Sequence, residues 1–256
     1  MSGLAGRARA FARRVAPNAL AAVYVFRTLR RQARSFAEAG RDERPPAELA
    51  RAAADGALVE IPRVEAVELA LATGPLTALQ KPDELFGLLE RVRAARPSCV
   101  LEIGTAGGGT LYLLTRAAAA DALVVSIDLR VPYFLQAARA RMGRPGQRVV
   151  SIEGHSKDTA VRARVEALLA DRPLDVLFVD GDHSYDGVRG DFELYAPLVR
   201  RGGLIALHDI VPDDVAGPAV SGDVPRFWRE LKERYETEEI VSRDSRSGYG
   251  IGIVVP

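Results

Sequence analysis

Hydrophobic positions along this chain follow two different periods, and the two periods alternate from residue 99 to the end. Short apolar runs rich in β-branched residues are typical of buried strands, whereas apolar residues that recur every three or four positions are typical of helices. The runs predict strands at 99–103, 122–127, 148–152, 174–179, 203–207 and 249–255. The segments between them predict helices near 109–119, 132–142, 157–170, 184–199 and 224–235. This alternation predicts an α/β fold, with a mostly parallel sheet covered by helices on both faces.

The end of the chain departs from that alternation. Strands are predicted at Glu238–Val241 and Tyr249–Val255, and only the polar segment Ser242–Gly248 separates them. Two consecutive strands joined without a helix are antiparallel, so we expect this pair to form a hairpin added to the edge of the sheet.

The region before the first strand divides at a polar linker. Residues 1–46 are interpreted as a basic helical extension that ends in a proline-terminated linker, and residues 47–256 as the main domain. Within that domain we expect N-terminal helices over 47–97 and the α/β core over 98–256. Pro82 is expected to begin a helix that ends near Ala95, because proline fits the first helical position.

Charge is distributed unevenly, although the whole chain has a formal net charge of only +1. Residues 1–44 contain ten arginines and no lysine against three acidic residues, so their formal net charge is 10 − 3 = +7. We expect this extension to pack on the main domain or on a second copy, which favours a homo-oligomer. The alternative is a peripheral contact with an anionic membrane surface. The near-neutral total argues against a nucleic-acid-binding protein.

The single cysteine, Cys99, excludes an internal disulfide and a multi-cysteine zinc site, and its apolar surroundings predict a buried side chain. We interpret the chain as cytoplasmic, since no signal peptide is evident. The longest apolar run near the N-terminus, Ala16–Phe26, has about half the ~20 residues of a membrane span.

Polar residues follow the predicted strands at the points where the strands end. Glu102, Asp128, Gly154 and Asp180 are 26 residues apart in each case, which matches one strand–helix unit per interval. The carboxyl ends of parallel strands meet at one edge of a sheet, where open α/β sheets bind their ligands. The further polar groups expected at this edge are His155, Ser156, Asp182, His183, His208 and Asp209.

A glycine-rich turn follows the first of these strands, in the segment VLEIGTAGGGT over residues 100–110. The dinucleotide pattern G-x-G-x-x-G fails at its central position, which is Ala106, and Glu102 would repel a diphosphate. A carboxylate suits a cationic, phosphate-free nucleoside such as S-adenosylmethionine, and Asp128 offers an acceptor for its ribose hydroxyls. A nicotinamide cofactor remains the alternative, and Asp128 is the one residue that supports it.

The segments VLEIGTAGGGT, VSIDL, IEGHSKD, LFVDGDHSYDGV and LVRRGGLIALHDI resemble class I S-adenosylmethionine-dependent methyltransferases. More narrowly, they resemble bacterial sugar and small-molecule O-methyltransferases with catechol O-methyltransferase-like features. The resemblance covers Gln80 to the C-terminus and implies a Rossmann-like seven-stranded sheet with an antiparallel last strand. It places Asp128 and Leu129 at the ribose, His155 and Ser156 at the adenine, and Gln80 at the amino-acid end of the cofactor. Around the methionine part it places Glu102, Gly104, Ala106, Gly108 and Thr110.

The resemblance also implies a divalent metal, Mg²⁺ or alternatively Mn²⁺, held by Asp180, His208 and Asp209. The chain departs from the family at His208, where an acid is expected, so either the metal is softer or His208 contacts the substrate. His183 matches the position of the general base, and its alternative is a structural role at the start of a helix. Catalysis is thus assigned to His183 and, through the metal, to Asp180.

We therefore predict a metal-assisted S-adenosylmethionine-dependent O-methyltransferase that acts on a hydroxyl of a sugar or polyhydroxylated natural product. The segment Val211–Asp223 is too long for an ordinary turn and is expected to form part of the pocket for this small-molecule acceptor. One alternative is a metal-independent N- or O-methyltransferase, and another is a non-catalytic, membrane-associated S-adenosylmethionine-binding protein.

Overall fold

The computed structural model describes residues 78, 80–131, 139–140, 142–212, 221–242 and 248–256. The predicted extension 1–46, the helices before residue 78 and most of the helix predicted at 132–142 lie outside these residues. So does the centre of the predicted acceptor segment, residues 213–220. None of the described helices is long and apolar enough to cross a membrane.

Helices and strands alternate through the described part of the chain. The helices are α1 (Pro82–Ala95), α2 (Gly109–Ala117), α3 (Thr159–Leu169), α4 (Tyr185–Tyr195) and α5 (Val224–Lys232). The strands are β1 (Cys99–Ile103), β2 (Leu123–Asp128), β3 (Arg148–Glu153), β4 (Leu174–Val179), β5 (Val199–His208), β6 (Glu236–Ile240) and β7 (Ile251–Val255). A 3₁₀ turn, Ala196–Leu198, joins α4 to β5.

These seven strands form one sheet in the order β3-β2-β1-β4-β5-β7-β6. The first five pair in parallel, and β7 runs antiparallel to both of its neighbours. The sequence prediction of an α/β fold with an antiparallel last strand is confirmed. The hairpin joins the sheet through β7, so β7 is internal and β6 is the edge strand. β6 is accordingly mostly exposed, whereas every residue of β1 is buried.

Two apolar clusters cover the two faces of the sheet. One packs α1 and α2 against alternate strand residues such as Val100 and Val124, and the other packs α3, α4 and α5 against residues such as Leu101 and Val125. Successive residues of one strand therefore contribute to both clusters in turn, which explains why the central strands are mostly apolar. Cys99 is fully buried, as its apolar context predicts.

Helix α5 is anchored on the hairpin by a single aromatic residue. Trp228 is almost fully buried, and its indole N–H donates to a carboxylate oxygen of Glu239 over 2.7 Å. Gly252 lies directly beneath the ring, where an added Cβ would approach it to 2.6 Å. The glycine in β7 thus admits the tryptophan, and Trp228 belongs to the core.

The register of the parallel strands aligns their carboxyl ends. Ile103 at the end of β1 is level with Ile127 of β2 and Val179 of β4. The backbone ladder continues beyond the strands, because Gly104 N donates to Ile127 O over 2.9 Å and Asp180 N donates to Ile103 O over 2.8 Å. The strand-end residues therefore lie along one edge, as the constant spacing predicts.

Candidate active site

The turn after β1 has a backbone that only glycine adopts easily. Gly104 has φ +84°, and a Cβ there would lie 1.9 Å from the carbonyl oxygen of Asp180. Gly108 has φ +89° and immediately precedes α2, while Ala106 has φ +45°. The turn therefore presses against the end of β4 and leads directly into the N-terminus of a helix, where backbone N–H groups have no helical partner.

Glu102 is a buried carboxylate at the end of β1. Its side chain is 0% exposed, and neither carboxylate oxygen has a hydrogen-bond partner among the described residues. Burial raises the pKa of Glu102 to about 8, although the Thr105 hydroxyl and the Arg139 guanidinium act in the opposite direction. An unpaired buried carboxylate is costly, so this position suits a cationic ligand that would pair with it.

Asp128, at the end of β2, holds the glycine turn in place. Its Oδ2 accepts hydrogen bonds from the backbone N–H groups of Thr105 and Ala106 over 3.1 and 2.7 Å, and its Oδ1 accepts from Arg130 N over 3.1 Å. The neighbouring Leu129 is 69% exposed, which is unusual for a large apolar side chain. Both residues predicted at the ribose thus lie at the open edge of the sheet beside the glycine turn.

Arg139 supports the same turn, although the sequence did not indicate it. Its side chain is fully buried and donates to the carbonyl oxygen of Ala106, while its Nε and Nη1 have no partner among the described residues. Burial lowers the pKa of Arg139, and the carboxylates of Asp128 and Glu102 counteract this effect. No pattern distinguished this arginine from the others, because its role depends on a contact 33 residues away.

The residues predicted at the adenine follow β3. The Ser156 hydroxyl donates to Asp191 Oδ1 over 2.5 Å, and the Tyr195 hydroxyl donates to the Ser156 carbonyl oxygen over 2.7 Å. His155 Nδ1 accepts from Lys157 N over 3.1 Å. Ser156 is not the N-cap of α3, because Asp158 occupies that position.

Asp191, in α4, is buried although it carries a carboxylate. It is 1% exposed and its Oδ2 has no partner among the described residues. Burial raises the pKa of Asp191, and the hydrogen bond from Ser156 offsets part of the effect. The helical period of α4 turns this position toward the sheet, where it anchors the loop after β3.

Three predicted catalytic or metal-binding side chains converge beyond β4 and β5. Asp180, His183 and Asp209 each offer a ligand atom, and these atoms lie within 4.8 Å of one another. His183 Nε2 is 3.5 Å from Asp180 Oδ1 and 3.3 Å from Asp209 Oδ2. Asp209 has φ +63°, a left-handed backbone that turns its carboxylate back toward Asp180. We refer to these three residues as the acid–histidine cluster.

His183 is not required as a helix cap. Ser184 occupies the N-cap position of α4 and accepts from Gly187 N over 3.0 Å, and Asp182 Oδ1 accepts from Ser184 N over 3.0 Å. The turn thus uses Asp182 and Ser184 for its own hydrogen bonds. The side chain of His183 remains 34% exposed at the edge of the cluster.

His208 lies behind the acid–histidine cluster and is buried. Its Nδ1 is 3.1 Å from Asp180 Oδ1 and 3.2 Å from Asp209 Oδ2, and its Nε2 has no partner among the described residues. Burial alone would lower the pKa of His208, but the two carboxylates outweigh burial and raise it to about 10. Burial likewise acts to raise the pKa of Asp180, yet the two histidines lower it to about 2. In this geometry His208 neutralises the carboxylates, and it stands outside the set of three converging ligand atoms.

Gln80 joins the two halves of the site. It is 5% exposed, its Nε2 donates to Asp180 Oδ2 over 2.6 Å, and its Oε1 accepts from the Thr110 hydroxyl over 2.8 Å. Thr110 is in the first turn of α2, directly after the glycine turn. Gln80 therefore connects Asp180 of the acid–histidine cluster to Thr110 beside the glycine turn.

The residues present fit both groups that the sequence predicted. Two carboxylates within a few ångströms offer oxygen ligands of the kind that divalent cations such as Mg²⁺ and Mn²⁺ prefer, and the imidazole of His183 lies beside them. The unpaired carboxylate of Glu102 beside a glycine turn fits a cationic nucleoside.

Comparison with known proteins identifies the central part of the chain. A methyltransferase-domain family model, Methyltransf_24, matches residues 101–210, which run from β1 to just beyond the acid–histidine cluster. The match relates these residues to methyltransferase domains. The resemblance inferred from the sequence motifs is therefore confirmed.

Two curated relatives match this chain at similar levels of identity. Uncharacterized protein R132 of Acanthamoeba polyphaga mimivirus is 32% identical over 112 residues, or 43% of this chain and 50% of the relative. Catechol O-methyltransferase of Mycobacterium tuberculosis is 31% identical over 114 residues, or 44% of this chain and 48% of the relative. The chain thus spans about half the length of the curated relatives it matches.

Solved structures share the fold over a larger part of the chain. An O-methyltransferase from Bacillus cereus, solved with S-adenosylhomocysteine, has a TM-score of 0.55 at 22% identity and covers 78% of this chain and 93% of its own. The MycE methyltransferase of the mycinamycin pathway, solved with Mg, S-adenosylhomocysteine and mycinamycin VI, has a TM-score of 0.53 at 19% identity. That match covers 77% of this chain and 55% of MycE. These similarities confirm the Rossmann-like fold.

Proposed function

We propose that the protein is an S-adenosylmethionine-dependent O-methyltransferase, assisted by a divalent metal, that methylates a hydroxyl group of a sugar or polyhydroxylated natural product. The observation that carries the proposal is the position of the acid–histidine cluster, which adjoins a glycine turn with an unpaired buried carboxylate. Gly104 contacts Asp180 directly through its backbone, so a methyl donor on the turn and a cation at the cluster would be neighbours.

The chain's own residues divide into a binding part and a reacting part. Glu102 is placed to pair with a positive charge of the cofactor, while Asp128 fixes the turn and Leu129 and Ser156 border the nucleoside. When bound, S-adenosylmethionine supplies an electrophilic methyl group, and a divalent ion supplies a Lewis acid that lowers the pKa of the acceptor hydroxyl. Asp180 and Asp209 would hold the ion.

His183 is proposed as the group that accepts the hydroxyl proton. Its side chain is partly exposed, whereas His208 is buried, so His183 is the accessible imidazole of the two. A histidine accepts a proton near neutral pH, and this one is held 3.3 Å from Asp209 Oδ2. A catechol O-methyltransferase relative and the MycE neighbour, whose structure contains Mg and a natural product, support a hydroxylated small molecule as the acceptor.

The proposal is tested by incubating the full chain with S-adenosylmethionine and a panel of sugars, polyols and catechols. We expect S-adenosylhomocysteine to form with at least one acceptor, to cease after treatment with EDTA, and to return with Mn²⁺ or Mg²⁺. Activity that survives exhaustive chelation would indicate a metal-independent methyltransferase. Tight S-adenosylhomocysteine binding without turnover on any acceptor would contradict catalysis altogether.

The role of residues 1–46 is proposed separately, because they lie outside the described structure. We expect them to support a homo-oligomer or a peripheral contact with anionic membranes. Light scattering and liposome co-sedimentation of full-length and 47–256 chains distinguish these two expectations.

A further inference from the structure

Gln80 is a buried amide with both ends engaged, and the chemistry of its partners determines which way the amide points. The carboxylate of Asp180 only accepts hydrogen bonds when ionised, so the Gln80 nitrogen must face it. The Gln80 oxygen then faces Thr110, whose hydroxyl must donate. The direction of both hydrogen bonds is therefore determined, because a flipped amide would turn its oxygen toward the Asp180 carboxylate and lose that hydrogen bond.

This arrangement assigns different tasks to the two oxygens of Asp180. Oδ2 is held by Gln80 at 2.6 Å, whereas Oδ1 faces His183 and His208 at 3.5 and 3.1 Å. Without Gln80 the contacts of Oδ1 with the two histidines would remain, but Oδ2 would lose the hydrogen bond that holds it. Gln80 thus determines which oxygen of Asp180 is presented to the acid–histidine cluster.

The segment that carries Gln80 is itself anchored. Leu85 N donates to Lys81 O over 2.9 Å at the start of α1. Glu84, which is fully buried, accepts from the backbone N–H groups of Ser242 and Gly250 over 2.9 and 3.0 Å. The start of α1 is therefore tied to the hairpin, and Gln80 projects from a rigid support.

On the basis of the proposed function, we propose that Gln80 is a positioning residue that couples the methyl-donor half of the site to the metal half. Thr110 stands at the N-terminus of α2 beside the glycine turn, and Asp180 belongs to the acid–histidine cluster. The hydrogen bonds Thr110–Gln80–Asp180 connect them through buried side chains. A change at Thr110 therefore reaches Asp180, which it does not contact itself.

The experiment measures Mn²⁺ affinity of the full chain by electron paramagnetic resonance, with and without S-adenosylhomocysteine. Gln80→Met keeps the volume and removes both hydrogen bonds, and we expect it to weaken Mn²⁺ binding about tenfold or more. Thr110→Val should weaken Mn²⁺ binding in the same direction, whereas Thr110→Ser, which keeps the hydroxyl, should retain wild-type affinity. The double variant should be no weaker than Gln80→Met alone, because both changes break the same connection.

Gln147 provides the matched control. Its Nε2 donates to the carbonyl oxygens of Thr115 and Ala119 over 2.8 and 2.7 Å, and its Oε1 accepts from Arg144 N over 2.8 Å. Gln147→Met therefore removes three hydrogen bonds away from the site, one more than Gln80→Met removes, and it should lower thermal stability without changing Mn²⁺ affinity. Circular dichroism confirms that each variant is folded.

Two results would overturn the coupling role: wild-type Mn²⁺ affinity in Thr110→Val, or effects of Thr110→Val and Gln80→Met that simply add. Absence of Mn²⁺ binding to the wild-type chain would also overturn it, while calorimetric binding of S-adenosylhomocysteine would still support the methyltransferase. Conversely, a wild-type chain that binds Mn²⁺ but no S-adenosylhomocysteine would refute the proposed function, and the Mn²⁺ affinities of the variants would still decide the role of Gln80.

Discussion

Replacing Glu102 by glutamine tests whether the end of β1 is built for a cation. Glu102 is fully buried with no hydrogen-bond partner among the described residues, and burial raises its pKa from 4.5 to about 8. Because the pKa in the folded state lies above that in the unfolded state, the folded protein binds the proton more tightly. The stability contributed by this proton is complete below pH 4.5 and is lost as the pH rises toward 8.

The size of the effect follows from the same shift. One pKa unit corresponds to about 1.4 kcal/mol, so Glu102 should lower the free energy of unfolding by about 3 kcal/mol between about pH 5 and about pH 8. The Glu102→Gln variant has no proton to lose at this position. Its stability relative to the wild type should therefore rise by about 3 kcal/mol across this range.

The assay is urea unfolding of both proteins at several pH values without ligand, together with calorimetric titration of S-adenosylmethionine. Groups that titrate equally in both proteins cancel in the difference. We expect the variant to bind the sulfonium cofactor about tenfold more weakly or worse, because an amide lacks the charge that pairs with a cation. Loss of affinity with gain of stability would identify Glu102 as a ligand-binding residue.

Glu84 is the matched control, because it is equally buried but its carboxylate accepts hydrogen bonds from two backbone N–H groups. Glu84→Gln turns a donor toward one of these groups, so we expect about 1–3 kcal/mol of destabilisation. The reasoning would be refuted if the stability difference between Glu102→Gln and the wild type were constant from pH 5 to pH 8, within about 0.5 kcal/mol. Unchanged cofactor affinity would refute the cation assignment.

Three further variants test the rest of the site. His183→Ala should reduce turnover about 100-fold or more while leaving S-adenosylhomocysteine affinity intact, and full turnover in steady-state assays would exclude it as the base. Asp209→Asn removes the negative charge and keeps a residue that tolerates the left-handed backbone. We expect it to weaken Mn²⁺ binding about tenfold or more, through loss of the charge and not through backbone strain. Wild-type Mn²⁺ affinity would exclude Asp209 as a ligand. Gly104→Ala forces a Cβ against Asp180 and should cost about 2 kcal/mol or more in chemical denaturation. Gly202→Ala is the control, because Gly202 is also at positive φ but an added Cβ there would come no closer than 3.8 Å to another group. It should cost about 1 kcal/mol, and equal losses in the two variants would argue against the close contact at Gly104.

The sequence by itself determined the succession of strands and helices. Runs such as Cys99–Ile103 and Leu174–Val179 are mostly apolar and rich in β-branched residues, because both faces of a central strand are buried. This requirement acts on consecutive residues, so it can be recognised in the sequence. Helix α1 begins at Pro82 and ends at Ala95, as the sequence predicts, because proline fits a first helical position. The regular spacing of the strand ends predicted that Asp128 and Asp180 share an edge, since each interval holds one strand–helix unit.

Only the tertiary structure decided how the polar side chains at that edge are partnered. Gln80 lies 100 residues from Asp180 along the chain, and its role depends on the orientation of α1 relative to the sheet. Asp191 is buried rather than solvated because α4 turns it toward the loop after β3. His208 stands behind the acid–histidine cluster, between two carboxylates, and no pattern in its segment predicts that position.

The physical reason for this division is the range of the interactions. Burial of a strand or a helix face is imposed on consecutive or periodically spaced residues, so it leaves a pattern in the sequence. A hydrogen bond or a pKa shift at a site depends on single atoms brought together from distant segments, and it leaves no such pattern. The strands and helices could therefore be predicted from the chain alone, whereas the unpaired burial of Glu102 and the partners of Gln80 and His208 required the fold.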